Sequence, residues 1–115
     1  MRVLGYVTSR SFQGLTIPVP AQNSCLREYA AANKLDYVLP PLEHNFENCY
    51  MQLFTLVKSL KEGDIIGMYS AAMLPKNDKK LNFLFNEIIK NKNSIFCILE
   101  SKRVFNLTQA KDLIF

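Results

Sequence analysis

The sequence predicts an α/β three-layer sandwich built around a parallel sheet of about four strands. Short apolar runs alternate along the chain with longer segments in which apolar residues recur every three or four positions. The connecting segments are long enough for the crossover helices that parallel strands require. A length of 115 residues, with 49% hydrophobic and 21% charged residues, is typical of one globular domain, which we place at residues 1–115.

The elements follow from local signals. Apolar, β-branched runs predict strands at residues 3–8, 35–39, 64–70 and 94–99. Helical periodicity predicts helices at residues 22–33, 47–61, 81–89 and 108–115. Asn33 and Gly63 are suited to end the first two helices, and Thr108 to cap the last. Residues 9–21 contain Gly14, Pro18 and Pro20 and predict a long loop, a kind that is commonly functional. Right-handed crossovers would make the sheet flavodoxin-like.

The composition excludes several functional classes. No apolar run approaches the roughly 18 residues of a membrane span, and the apolar start is too short for a signal peptide, so we expect a cytoplasmic protein with no membrane insertion. The three cysteines are scattered and there is one histidine, which predicts reduced thiols and no metal site. The phosphate-binding glycine motifs of dinucleotide and P-loop sites are missing, so no cofactor is predicted.

The net charge of +4 leaves two interpretations open. The excess lies mostly in the second half of the chain, at Lys76, Lys79, Lys80, Lys90, Lys92, Lys102 and Arg103. Such residues form either a solvated surface or a site for an anionic partner. We expect the solvated surface and no nucleic acid, because the pattern shows no interleaved aromatic residues of the kind that bind single strands.

Polar residues follow every predicted strand. They are Thr8, Ser9 and Arg10 after the first, Glu43 after the second, Tyr69 and Ser70 after the third, and Glu100 after the fourth. The carboxyl ends of parallel strands meet at one edge, where ligands bind. The sequence therefore predicts one site there, for a polyhydroxylated or phosphorylated small molecule.

Arg10 is the first candidate ligand-binding residue. Its guanidinium can hold a phosphate with two hydrogen bonds, or it can form a surface ion pair with Glu43. Gln22 and Arg27 lie near the start of the first helix, where they could orient the same ligand. Gln22 could equally serve the helix start alone.

Glu43 and Glu100 are the candidate catalytic residues, as groups that move a proton. Glu43 is followed by His44, the one adjacent carboxylate–imidazole pair, although both could be plain loop residues. Glu100 could instead pair with Arg10 or Arg103. Tyr69 and Ser70 would bind ligand, unless Tyr69 only packs at the edge of the core.

The chain resembles the sporadic carbohydrate cluster family along nearly its whole length. The resemblance is carried by residues 5–12, 17–23, 26–29, 49–51, 68–70 and 73–75, together with Glu43 and Glu100. Members of that family are small bacterial proteins encoded in surface-polysaccharide gene clusters, with no established reaction. The resemblance implies a pathway and assigns no catalytic residues.

A second similarity, in organisation, is to the catalytic domain of serine recombinases. It is carried by Gly5-Tyr6, Gln22, the helix through Leu26 and Tyr29, and residues 60–66. Those enzymes have a Tyr-x-Arg-x-Ser pattern that ends in the nucleophilic serine. Counted from Tyr6, this chain has Thr8 at the arginine position and Arg10 at the serine position. The similarity implies shared architecture, a recombinase-catalytic-domain-like sheet, without strand exchange.

Three functions are therefore considered. The first is an enzyme or binding protein of glycan precursor assembly, acting on a phosphorylated or nucleotide-linked sugar. The second is a non-catalytic partner or regulator of a glycosyltransferase or another glycan-assembly enzyme, docking through residues 68–74. The third is a nucleic-acid binder that uses the lysine-rich half. We rank the three functions in that order. The oligomeric state is open, since a small parallel-sheet domain of this kind could dimerise.

Overall fold

A five-stranded sheet organises the fold. The computed structural model describes residues 1–40, 42, 43, 45 and 49–114. The strands are β1 (Arg2–Gly5), β2 (Asp36–Val38), β3 (Ile65–Met68), β4 (Ser94–Cys97) and β5 (Lys102–Val104). The helices are α1 (Val19–Ala32), α2 (Met51–Lys58), α3 (Asp78–Lys90) and α4 (Leu107–Ile114), with a 3₁₀ turn at Ala71–Met73. Strands and helices alternate up to β4, as the sequence predicts.

The strand order is β2-β1-β3-β4-β5, and the first four strands run parallel. The predicted α/β fold with a parallel sheet is therefore confirmed. The count of about four strands needs one correction, because β5 adds an antiparallel edge in which Phe96 pairs with Arg103. Ser101, with a φ of 54°, lies in the turn that reverses the chain before β5. This three-residue strand carries two charged residues, so it lacks the apolar pattern of a strand.

Apolar layers cover both faces of the sheet. The larger cluster joins the sheet to α2, α3 and α4, with Leu53, Leu84 and Ala110 among its buried residues. The smaller cluster lies under α1, where Tyr29 stacks on Phe96 with ring centroids 3.9 Å apart. These layers on opposite faces make the three-layer sandwich.

Each helix begins at a residue other than the predicted one, and the starts of α1 and α3 have a clear local cause. Helix α1 begins three residues earlier, because Pro20 falls in its first turn, where a missing N–H costs no helical hydrogen bond. Helix α3 begins at Asp78, where the side chain of Asn77 accepts a hydrogen bond from the Lys80 N–H at 3.1 Å. Because Asn77 caps the helix, α3 begins before the first residue of its apolar pattern.

Helix α2 is shorter than predicted, and helix α4 is capped by a different residue. Helix α2 ends at Lys58, and the predicted positions 47 and 48 lie outside the described residues, as does position 115 of the final helix. At α4, the side chain of Asn106 accepts from the Gln109 N–H at 2.9 Å, so Asn106 takes the capping role predicted for Thr108. In the part of the chain that the structure describes, no helix is long and apolar enough to cross a bilayer.

Candidate functional site

A hollow opens between the carboxyl ends of β1 and β3. The chain leaves β1 toward β2 on one side and later returns to β3 on the other, so this is the point where the strand order reverses. Open parallel sheets bind ligands at such points. The hollow has a volume of about 470 Å³ and is lined by Thr8, Arg10, Ser11, Phe12, Gln13, Tyr50, Ala72, Met73 and Lys76.

The loop after β1 forms one wall of the hollow through a tight turn. Phe12 and Leu15 exchange two backbone hydrogen bonds, of 2.9 and 3.0 Å. Between them Gln13 and Gly14 have φ values of 50° and 76°, the combination that a two-residue hairpin turn requires. The buried Phe12 ring anchors the turn, and its centroid lies 6.3 Å from that of the Tyr69 ring. The segment predicted as a long loop therefore contains an ordered, tightly hydrogen-bonded turn.

Gln22 fixes the base of that loop. Its fully buried amide donates to the carbonyl oxygens of Thr8 and Ile17, at 2.7 and 2.8 Å, and accepts from the Thr8 N–H at 3.3 Å. The Thr8 hydroxyl in turn accepts from the Arg10 N–H at 3.1 Å. Gln22 therefore bonds to backbone and is not among the residues that line the hollow, whereas Thr8 and Arg10 are.

Glu43 is a buried carboxylate at the start of α2. The Tyr6 hydroxyl donates to it at 2.8 Å, and the backbone N–H groups of Gln52 and Leu53 donate at 3.1 and 3.3 Å. Helix α2 has no acidic residue in its own first turn, so Glu43 stabilises the positive end of the helix from outside. Burial and the Glu43 charge raise the pKa of Tyr6, against a lowering effect of Arg10, so the phenol remains a hydrogen-bond donor. His44 lies outside the described residues.

Two cations lie against the Tyr50 ring, and a third lines the same hollow. The Arg10 guanidinium carbon lies 4.9 Å from the ring centroid and its Nη1 donates to the Cys49 carbonyl oxygen at 2.7 Å. The Lys80 ammonium lies 5.5 Å from the same centroid, and Lys76 lines the hollow. The amino end of α3, which begins two residues after Lys76, adds a partial positive charge that Asp78 in the first turn of the helix counters. This cluster makes the hollow suited to anions.

Ser70 and Glu100 come together at the ends of β3 and β4 but outside the lining of the hollow. The Glu100 carboxylate accepts from the Ser70 hydroxyl at 2.7 Å and from the Ala71 N–H at 2.9 Å. Ser70 also accepts from the Ala72 N–H at 3.1 Å, so the pair caps the 3₁₀ turn. Tyr69, half-buried, packs against the Phe12 ring.

The predicted gathering of all strand ends around one hollow is therefore only partly met. Of Arg10, Glu43, Tyr69 and Glu100, Arg10 alone lines the hollow. Arg27 lies elsewhere, with its guanidinium carbon 6.0 Å from the Tyr37 ring centroid beside β2. Ser9 is exposed next to Arg10.

Tyr50 and Lys76 are among the residues of the hollow that the sequence did not predict as site residues. Tyr50 fitted the apolar periodicity of a helix, and Lys76 belonged to a basic run expected to be solvated. The available signal was the position of Lys76, directly after Pro75 in the segment that follows β3. A residue there reaches the same sheet edge as Arg10.

Comparison with known proteins shows the fold. No family model matches the chain, and no curated protein matches it. The N-terminal catalytic domain of TP901-1 integrase is similar over 98% of this chain and 88% of its own, at 17% identity and a TM-score of 0.66. A resolvase family site-specific recombinase from Streptococcus pneumoniae is similar over 89% of this chain and 76% of its own, at 11% identity and a TM-score of 0.63.

The resemblance to the sporadic carbohydrate cluster family is wrong. Neither a family model nor a curated protein supports it, and the two solved structures described above are an integrase catalytic domain and a site-specific recombinase. The predicted sugar ligand, the glycan-assembly partner and the exclusion of nucleic acid are wrong for the same reason. Two of the residues that carried the resemblance have structural contacts. Gln22 bonds to the loop after β1 and Glu43 to the start of α2, so both residues maintain the fold.

Proposed function

We propose that this chain binds nucleic acid at the hollow, through phosphates held by Arg10, Lys76 and Lys80. The observation that carries the proposal is that Arg10 and Lys80 lie against the Tyr50 ring, while Arg10 and Lys76 line the hollow at the switch point of the sheet. Phosphate groups dominate the affinity of proteins for nucleic acids, and clustered cations gain affinity by releasing condensed counterions. The net charge of +4 supports approach of a polyanion.

Arg10 has the main binding role. The Cys49 carbonyl oxygen and the Tyr50 ring restrict its guanidinium, so less side-chain entropy is lost when a phosphate binds. Lys76 and Lys80 act as point charges, while Thr8 and Ser9 supply polar groups beside Arg10. Glu43, buried under this cluster, and Glu100, at the 3₁₀ turn, position backbone in this proposal.

The comparisons support DNA as the nucleic acid, since the two structures described above come from proteins named as an integrase and a site-specific recombinase. We propose binding without serine-dependent strand exchange. Thr8 and Arg10 occupy the positions of the arginine and serine in the Tyr-x-Arg-x-Ser pattern. An arginine in the serine position can hold a phosphodiester but cannot form a phosphoserine bond. A DNA-binding role for residues 1–115 would place the chain in the cytoplasm.

Fluorescence anisotropy with labelled DNA tests the proposal. Lys76→Gln removes one charge and is expected to raise the Kd about fivefold. Arg10→Lys keeps the charge but loses the planar fork, and we expect a tenfold or larger rise. Lys58→Gln is the matched control, because this exposed lysine is the last residue of α2, at the end of the helix opposite Tyr50. Equal affinities for Lys76→Gln, Lys58→Gln and the unmodified chain would refute the proposed site.

A second assay separates binding from strand exchange. Supercoiled plasmid incubated with the chain is expected to remain intact, with no protein attached covalently to DNA after denaturation. A covalent adduct that disappears in Ser9→Ala or Ser11→Ala would show that a serine near Arg10 is a nucleophile after all.

A further inference from the structure

Three aromatic side chains continue the hollow along the surface of α2 and α3. We call Tyr50, Phe54 and Phe83 the aromatic ridge. The Tyr50 and Phe54 ring centroids are 6.4 Å apart, and Phe83 meets Phe54 edge-on at 5.4 Å and 82°. Phe83 is 41% exposed, and the other two rings are half-buried. The ridge therefore presents aromatic surface to solvent beside the hollow.

Cations accompany this ridge. Arg10 and Lys80 both lie against Tyr50, and Lys80 precedes Phe83 by three residues on α3, which places the two on neighbouring positions of one helix face. Interleaved cations and exposed aromatic rings are the combination that binds unpaired nucleotides. The sequence did not show this arrangement, because its members come from α2, α3 and the loop after β1.

We infer that the nucleic acid bound at this site is single-stranded, with its backbone at the hollow and its bases on the aromatic ridge. This inference rests on the proposed function. Bases in a duplex are stacked on each other, whereas an unpaired base offers a free face to an aromatic side chain. The charge of Arg10, Lys76 and Lys80 favours a polyanion over an apolar peptide on the same surface.

A single tryptophan can report the stacking. The chain has no tryptophan, so Phe83→Trp introduces one fluorophore on the ridge. We expect its emission to fall on addition of an oligothymidylate of about 16 nucleotides, and to stay unchanged with heparin, a polyanion without bases. Phe105→Trp is the matched control. Phe105 follows β5, is 47% exposed, and its ring centroid lies 5.1 Å from the Arg103 guanidinium carbon. Equal quenching at both positions would contradict binding on the ridge.

Affinity measurements complete the test. Phe83→Leu keeps an apolar side chain but removes the aromatic face, and we expect about a tenfold loss of affinity for the single strand with no change for a duplex. Lys76→Gln should weaken both ligands. An unchanged single-strand affinity in Phe83→Leu would overturn the inference and leave the proposed function standing. If neither DNA binds at micromolar concentrations, both fail. Urea unfolding confirms that Phe83→Leu remains folded.

Discussion

Buried polar side chains in this protein stabilise loops and helix ends. Gln22 bonds to the backbone after β1, Glu43 to the start of α2, and Glu100 to the 3₁₀ turn. A buried polar group needs such partners to offset its lost hydration. Polar residues after buried strands fit equally well with a ligand site and with loop closure, and a sequence alone does not separate the two. That ambiguity explains why Gln22, Glu43 and Glu100 were predicted to act on a ligand.

Replacing Glu43 tests its positioning role. Glu43→Gln keeps the shape but removes the charge that faces Tyr6 and the N–H groups of Gln52 and Leu53. We expect the free energy of unfolding to fall by about 1–3 kcal/mol, measured by urea denaturation. Tyr6→Phe, which removes one donor, should cost less. A change below about 0.5 kcal/mol in Glu43→Gln would contradict this role.

Asp64 makes stability depend on pH. Burial alone would raise the pKa of this carboxyl, but hydrogen bonds from Arg2 and the Lys61 N–H, with the Arg2 charge, bring it below the ordinary 3.8. A lowered pKa in the folded state means that the folded form holds its proton less tightly. The stabilisation is therefore present above the unfolded pKa and is lost as the pH falls through the folded one.

Asp64→Asn tests this pH dependence. At neutral pH the substituted chain should unfold at a lower urea concentration, because the charged partner of Arg2 is missing. The two midpoints should converge as the pH falls below 3.8, where the carboxyl in the original chain becomes protonated. A difference that stays constant from neutral pH down to this range would contradict the expected linkage.

At the scale of secondary structure, elements with a strong pattern were predictable and short polar elements were not. The apolar periodicity of α2 and α3 reflects one face that packs on the sheet, so the type and approximate place of both helices followed from sequence, although α2 is shorter than predicted and α3 begins three residues earlier. Strand β5 has three residues, two of them charged and exposed, and depends on pairing with β4. The start of α1 was missed because Pro18 and Pro20 predict a loop as readily as a helix start.

Close packing between α1 and the sheet depends on Gly67. A Cβ at this position would lie 2.9 Å from Leu26 Cδ2 and 3.0 Å from Val3 Cγ1. Gly67→Ala is therefore expected to lower the free energy of unfolding by about 1–3 kcal/mol, measured in urea. In a Leu26→Val background the side chain that would clash is shorter, so Gly67→Ala should lower the free energy of unfolding by less. An equal cost in both backgrounds would show that α1 contact is not the cause.

At the scale of the whole molecule, the position of the site followed from topology, but its chemistry did not. Alternating strands and helices placed a ligand site at the carboxyl edge of the sheet, and the hollow lies there between β1 and β3. Its composition depends on three segments far apart in sequence, which contribute Arg10, Tyr50 and Lys76. Local patterns describe neighbours along the chain, and these contacts exist only after folding.

The salt dependence of DNA binding tests this convergence in the intact molecule. If Arg10, Lys76 and Lys80 each neutralise one phosphate of a single strand, log K should fall with log salt at a slope of about −2, since each contributes about 0.7. Lys76→Gln should reduce the magnitude of the slope by about 0.7, and Lys58→Gln should leave it unchanged. Anisotropy titrations at several salt concentrations measure these slopes. Equal reductions in both variants would show that the net charge of +4, and not the cluster at the hollow, attracts the strand.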